Sequence, residues 1–120
     1  MGVEHMKKQT NKRNQISHKD IKLTMHCKQR AEERVGLTHT DDIRKLAVSA
    51  RYKGININAL HENNYEKLGL NKEIYRTLKH YFPRKSNTER FYYYKGRVFI
   101  FCGGDSRVLK TIVNVDVEVA

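Results

Sequence analysis

The sequence predicts an α+β fold, with N-terminal helices packed on a C-terminal antiparallel β-meander of about three to four strands. Three observations carry that expectation. The last third, Arg90 to Val119, is dense in β-branched and aromatic residues and is broken at Lys95-Gly96 and Gly103-Gly104-Asp105. That is the pattern of strands joined by tight turns. Two earlier stretches carry apolar residues at helical spacing, each bounded by start and stop signals. Finally, a small meander cannot bury its own apolar face, so the helices are its expected cover.

The first helix is expected over MHCKQRAEER up to about Val35. Thr24 precedes it as a competent N-cap, and Gly36 stands where a left-handed residue ends a helix. Cys27, Ala31 and Val35 form an apolar stripe, while His26, Arg30 and Arg34 recur beside it at i, i+4 and i+8. Thr40-Asp41-Asp42 opens a second helix with acids in its first turn, where the helix dipole favours them. Its Ile43, Leu46, Ala47 and Ala50 repeat at helical spacing, and Gly54 closes it.

Residues 55–70 contain asparagines at 56, 58, 63 and 64 and read as irregular structure, with one helical turn near Asn64 to Leu68. Asn71 caps a third helix, KEIYRTLKHYF, which Pro83 ends. In the meander, Val98, Ile100 and Cys102 alternate with Phe99 and Phe101, so the central strand is apolar on both faces and belongs in the middle of the sheet. The last strand places Leu109, Thr111, Val113 and Val115 on one face by simple alternation. Thr111 is then a lone hydroxyl in an apolar row.

At 120 residues the chain has room for one domain, residues 21–120, after a basic flexible tail over residues 1–20. Twenty-four Lys and Arg stand against 13 Asp and Glu, a formal net charge of +11. A field of that sign attracts polyanions, and nucleic acid is the usual one. No apolar run approaches the length of a membrane span, and the N-terminus lacks a signal peptide's apolar core, so no membrane association is expected. The two cysteines, Cys27 and Cys102, make neither a disulfide framework nor a zinc site. The six histidines show no His-x-x-x-His spacing. No metal or cofactor is therefore expected, and a cytoplasmic location is the simplest reading.

Three constellations are candidates for chemistry. On the helical stripe, His26 is a proton shuttle near neutral pH, and the guanidinium groups of Arg30 and Arg34 can grip phosphate through a bidentate fork. The plainer reading is a solvated face whose arginines pair with Glu32 and Glu33. The run Arg90-Phe91-Tyr92-Tyr93-Tyr94-Lys95 with Arg97 interleaves aromatic and basic residues. Tyr92 and Tyr94 can stack unpaired bases, with Lys95 and Arg97, and Arg84 and Lys85 of the preceding loop, on the phosphates. Structural tyrosines on a strand are the commoner case. Thr111 either bonds a cross-strand group or reaches a pocket between the last strand and the first helix.

The segments LTMHCKQRAEERVGL, RFYYYKGRVFIFCGG and VLKTIVNV resemble a family of short bacterial and phage proteins. That family is grouped with the barnase, EndoU, colicin and RelE-like ribonuclease superfamily. Its pattern is a Thr-x-His-(small)-x-x-Arg helix ending in Glu-Arg-x-Gly, then a meander whose last strand reads Ile/Val-Thr-Val. The resemblance covers Ile21–Gly36 and Arg90–Val115. It implies helices on an antiparallel sheet and metal-independent RNA cleavage, with toxin-like or mobile-element origin. Carried over by position, the family's His and Arg fall on His26, Arg30 and Arg34, and its strand hydroxyl falls on Thr111, although here the order is Lys-Thr-Ile-Val. The stretch 55–88, with its extra helix, departs from the family's short link.

The leading expectation is thus an RNA-binding protein of RelE/barnase-like endoribonuclease type, with His26 as acid or base, Arg30 and Arg34 on the scissile phosphate, and Thr111 supporting the pocket. Two rivals stand beside it. One is a non-catalytic nucleic-acid-binding or inhibitory protein. The other is a basic module that meets an acidic antitoxin or host protein.

Overall fold

The computed structural model describes residues 16–82, 89–103 and 107–115. The fold is α+β, as the sequence predicts. Helix α1 spans Met25–Val35, α2 Thr40–Lys53 and α3 Lys72–Tyr81. Strand β1 is Lys22–Leu23, β2 Ile55–Asn56, β3 Glu89–Tyr94, β4 Arg97–Cys102 and β5 Val108–Asn114. Short 3₁₀ turns occupy His18–Asp20 and Ile57–Ala59.

The sheet is larger and less uniform than a plain meander. Its order is β1-β5-β4-β3-β2. The β3-β4-β5 core is antiparallel, but β1 pairs parallel with β5 through Lys22 and Leu23. Both added strands have two residues, too few to leave a periodic signal in the sequence. The turn between β3 and β4 holds Lys95 at φ 51° and Gly96 at φ 80°. Two successive left-handed residues are what a two-residue hairpin turn with the right twist requires.

Helix ends follow their caps. Thr24 Oγ1 accepts the Cys27 N–H at 3.0 Å, and Asn71 Oδ1 accepts the Ile74 N–H at 2.8 Å. Gly36 ends α1 at φ 78°, and its N–H closes on the Glu32 carbonyl. Gly54 ends α2 for a different reason. Its φ is an ordinary −80°, but a Cβ there would lie 2.3 Å from the Ala50 carbonyl oxygen and 2.9 Å from that of Tyr93. The chain needs glycine at that point so that helix and strand can approach.

The sheet is covered on both faces. On one, Cys27 and Ala31 of α1 and Ile43, Ala47 and Ala50 of α2 pack on Phe99, Phe101, Leu109 and Ile112. On the other, Ile57, Leu60, Leu70 and Leu78 pack on Val98, joined by Ile74, Tyr75, Phe91 and Ile100. The stretch after α2 is thus the second half of the core. A central strand that is apolar on both faces needs a second cover, each buried aliphatic or aromatic side chain contributing roughly 1.5–3 kcal/mol. The first core begins at Ile16, which is buried and held by its backbone on the Tyr52 hydroxyl. The rest of the expected basic tail, residues 1–15, lies outside the described residues, as do Arg84 and Lys85.

Strand β5 departs from simple alternation. Ile100 stands opposite Thr111 while Phe101 stands opposite Leu109, so Lys110 is the extra residue of a β-bulge. The bulge resets the faces. Leu109 and Ile112 both enter the first core. Thr111, cross-strand from Ile100, lies on the second face.

Candidate nucleic-acid interface

Helix α1 runs along the outer edge of β5, beyond the short reach of β1. Thr24 Oγ1 donates to the Lys110 carbonyl at 2.9 Å, and Arg34 Nη1 donates to the Ile112 carbonyl at 2.7 Å. At the far end, Asn114 Nδ2 donates to the Arg34 carbonyl at 3.5 Å. These bonds fix which way the helix is turned. With Cys27 and Ala31 pointing into the core, the neighbouring stripe of His26, Arg30 and Arg34 faces outward along the sheet edge. His26 and Arg34 are about 12 Å apart along the helix axis.

The three members of the stripe are not equivalent. His26 is exposed, and Arg30 Nε donates to its Nε2 at 3.4 Å. Arg30 also pairs with Glu33 at 2.7 Å, with both side chains partly in solvent. Arg34 is half-buried and engaged by the strand. Arg30 is thus held only by exposed side chains of its own helix, whereas Arg34 is bonded to the strand backbone.

Arg97 lies at the Asn114 end of this edge. It pairs across the sheet with Asn114 and with Tyr94, on the face that carries Phe99, Phe101 and Ile112. Arg97 Nη1 reaches the Lys95 carbonyl at 3.4 Å, and its Nε is buried without a hydrogen-bond partner among the described residues. Lys95 Nζ sits 5.3 Å from the centroid of the Tyr94 ring. The structure thus sets the Arg34 end of α1 beside Asn114, with Arg97 on the adjoining strand and Tyr94 and Lys95 one strand further in, while His26 and Arg30 lie back along the helix.

Two other predicted site residues are placed elsewhere. Tyr92 is half-buried against the first core, edge-on to Phe101 with centroids 5.7 Å apart, and beneath the Arg51 guanidinium at 5.9 Å. Its partner on the other face, Tyr93, packs in the second core, where burial raises the phenol pKa. Thr111 lies on the sheet face opposite α1. Its Oγ1 is buried and finds no hydrogen-bond partner among the described residues. The hydroxyl and the helical histidine therefore do not share a pocket. Sequence alternation could not reveal this, because the bulge at Lys110 moves Thr111 to the other face.

One polar pair was missed entirely. Lys110 Nζ and Glu89 Oε2 are 2.6 Å apart across the sheet, and the hydrogen bond and charge of Glu89 raise the Lys110 pKa. The two residues are 21 apart in the chain, and the pairing of β3, β4 and β5 brings them together.

No group of three or more His, Cys, Asp or Glu among the described residues can hold a metal ion. No helix among them is long and apolar enough to cross a membrane. Comparison with known proteins gives no match: no family model, no curated protein and no solved structure aligns with this chain. The ribonuclease resemblance accordingly rests on its short motifs alone.

Proposed function

We propose that the protein binds RNA along the exposed stripe of α1 and past the β3–β4 turn, with Arg30, Lys95 and Arg97 on phosphates and Tyr94 beside them. The observation that carries this reading is the run of basic residues from α1, through Arg34 and Asn114, to Arg97 and Lys95 at the β3–β4 turn, within a chain of net charge +11. Cationic side chains along a groove or edge supply most of the affinity for a polyanion, and an aromatic ring adds sequence-tolerant stacking. The test is fluorescence anisotropy with a labelled single-stranded RNA. Arg30→Gln and Arg97→Gln each weaken binding on this reading, while Thr111→Val leaves it unchanged. Equal affinity of parent and both arginine variants would refute it.

A second reading, cleavage by attack of the RNA's own 2′-oxygen, is favoured by one contact. Arg30 donating to His26 Nε2 places an imidazole beside a guanidinium on the same exposed stripe. A base and a charge-stabilising cation are the two groups such a reaction uses. Incubation with total RNA in EDTA separates the readings. Cyclic-phosphate ends that vanish with His26→Ala support cleavage; intact RNA supports binding alone.

A further inference from the structure

The second sheet face carries a notch that the proposed RNA path does not use. It lies between the 3₁₀ turn after β2 and α3, has a volume of about 410 Å³, and is lined by Asn58, Ala59, Leu60, His61, Tyr75 and Lys79. That is within the usual size range of small-molecule sites.

Its polar groups are held in place by the asparagines of this segment. Asn64 Oδ1 accepts the His61 N–H at 2.9 Å, and Asn64 Nδ2 donates to the Ala59 carbonyl at 2.9 Å. The Asn63 N–H donates to His61 Nδ1 at 3.1 Å, which leaves Nε2 as the ring N–H. Asn58 is fixed by its Oδ1, which accepts the Phe91 N–H at 3.1 Å, so its amide N–H₂ group is the donor that remains. On α3, one turn apart, stand Tyr75 and Lys79. The Tyr75 ring stacks on Tyr65 at 4.5 Å and 12°, and Lys79 Nζ rests on the Leu60 carbonyl at 3.1 Å with protons to spare.

The notch therefore combines three donors suited to an anion with a rigid aromatic ring suited to a planar, apolar group. Groups whose geometry is fixed in advance lose little entropy when a ligand arrives. We infer that this notch binds a nucleoside monophosphate, with Lys79, His61 and Asn58 on the phosphate and Tyr75 against the base. The site is independent of the RNA path, since it lies on the other face of the sheet and shares no residue with it.

Amide NMR of the full chain, titrated separately with AMP, adenosine and inorganic phosphate, tests this. AMP is expected to shift signals of residues 58–64 and 75–79 in a saturable way, and to bind more tightly than adenosine or phosphate. Lys79→Met and His61→Ala are each expected to weaken AMP binding about tenfold or more. Having two variants guards against the loss of the Lys79 contact with Leu60 perturbing the fold. Absence of saturable shifts by about 10 mM AMP would overturn the inference. So would equal binding of adenosine, or shifts confined to α1 and β5. Retention of AMP binding by Arg30→Gln, with RNA binding weakened, is the expected sign that the two sites are separate.

Discussion

Arg34 donates from Nη1 to the carbonyl of Ile112 at 2.7 Å, and this bond divides the cationic stripe of α1 into two kinds of residue. Together with Thr24 on the Lys110 carbonyl, it closes the part of the β5 edge that the two-residue β1 leaves open. An uncovered edge strand is a template for pairing with another chain. Arg34 is a building residue, while Arg30, one turn earlier, faces solvent and an exposed carboxylate.

Substitution should separate these roles. Arg34→Ala is expected to cost about 1.5–3 kcal/mol in urea unfolding, the range for a hydrogen bond to a charged group. It should also raise the tendency to self-associate. Arg30→Ala should change stability by less than about 0.5 kcal/mol, as for other solvent-screened i, i+3 pairs. Equal effects of the two would contradict the division.

Thr111 offers a test of the bulge. A buried hydroxyl without a partner costs free energy that valine does not. Thr111→Val is expected to raise stability by about 1 kcal/mol in chemical unfolding. A loss of stability would mean that the hydroxyl has a structural partner.

How the chain was legible follows from these same residues. The caps at Thr24, Gly36 and Asn71 are local chemistry, and the helices begin and end where those residues dictate. The double-sided apolar pattern of Val98 to Phe101 likewise marked the central strand. What covers its second face was not legible, because residues 55–70 pack through scattered contacts such as Ile57, Leu60 and Leu70 that follow no period. The bulge was hidden for a similar reason: one extra residue, Lys110, breaks the alternation across it, so that Leu109 shares a face with Ile112 and not with Thr111. The stripe of His26, Arg30 and Arg34 was visible, but its division was not, since only tertiary structure brings Ile112 to Arg34.

Gly54 is constrained by space rather than by its backbone angles. Gly54→Ala drives a methyl group into the Ala50 and Tyr93 carbonyl oxygens. A loss of about 1–3 kcal/mol or more in unfolding free energy is expected from such overpacking. A near-neutral result would show that α2 and β3 can separate at little cost.

The cysteines should differ in reactivity. Cys27 is buried in the first core, and burial pushes its thiol up to about 12 from an ordinary value near 9.0. Thiol-labelling of the native protein near pH 8 is expected to reach half-buried Cys102 first and Cys27 only on unfolding. Because the folded value is the higher one, the stability linked to Cys27 is fully present below about 9 and is lost as pH rises toward about 12. Rapid labelling of Cys27 in the folded protein would contradict this placement.

The proposed RNA path runs along the stripe of α1 beside β5 and past the β3–β4 turn. The most direct measurement is the dependence of single-stranded RNA affinity on salt for the parent, Arg30→Gln, Arg97→Gln and the double variant. Each lost phosphate contact should lower the slope of log affinity against log salt by about 0.7, with the double variant additive. Slopes and affinities unchanged across all four proteins would place the RNA elsewhere and contradict the account.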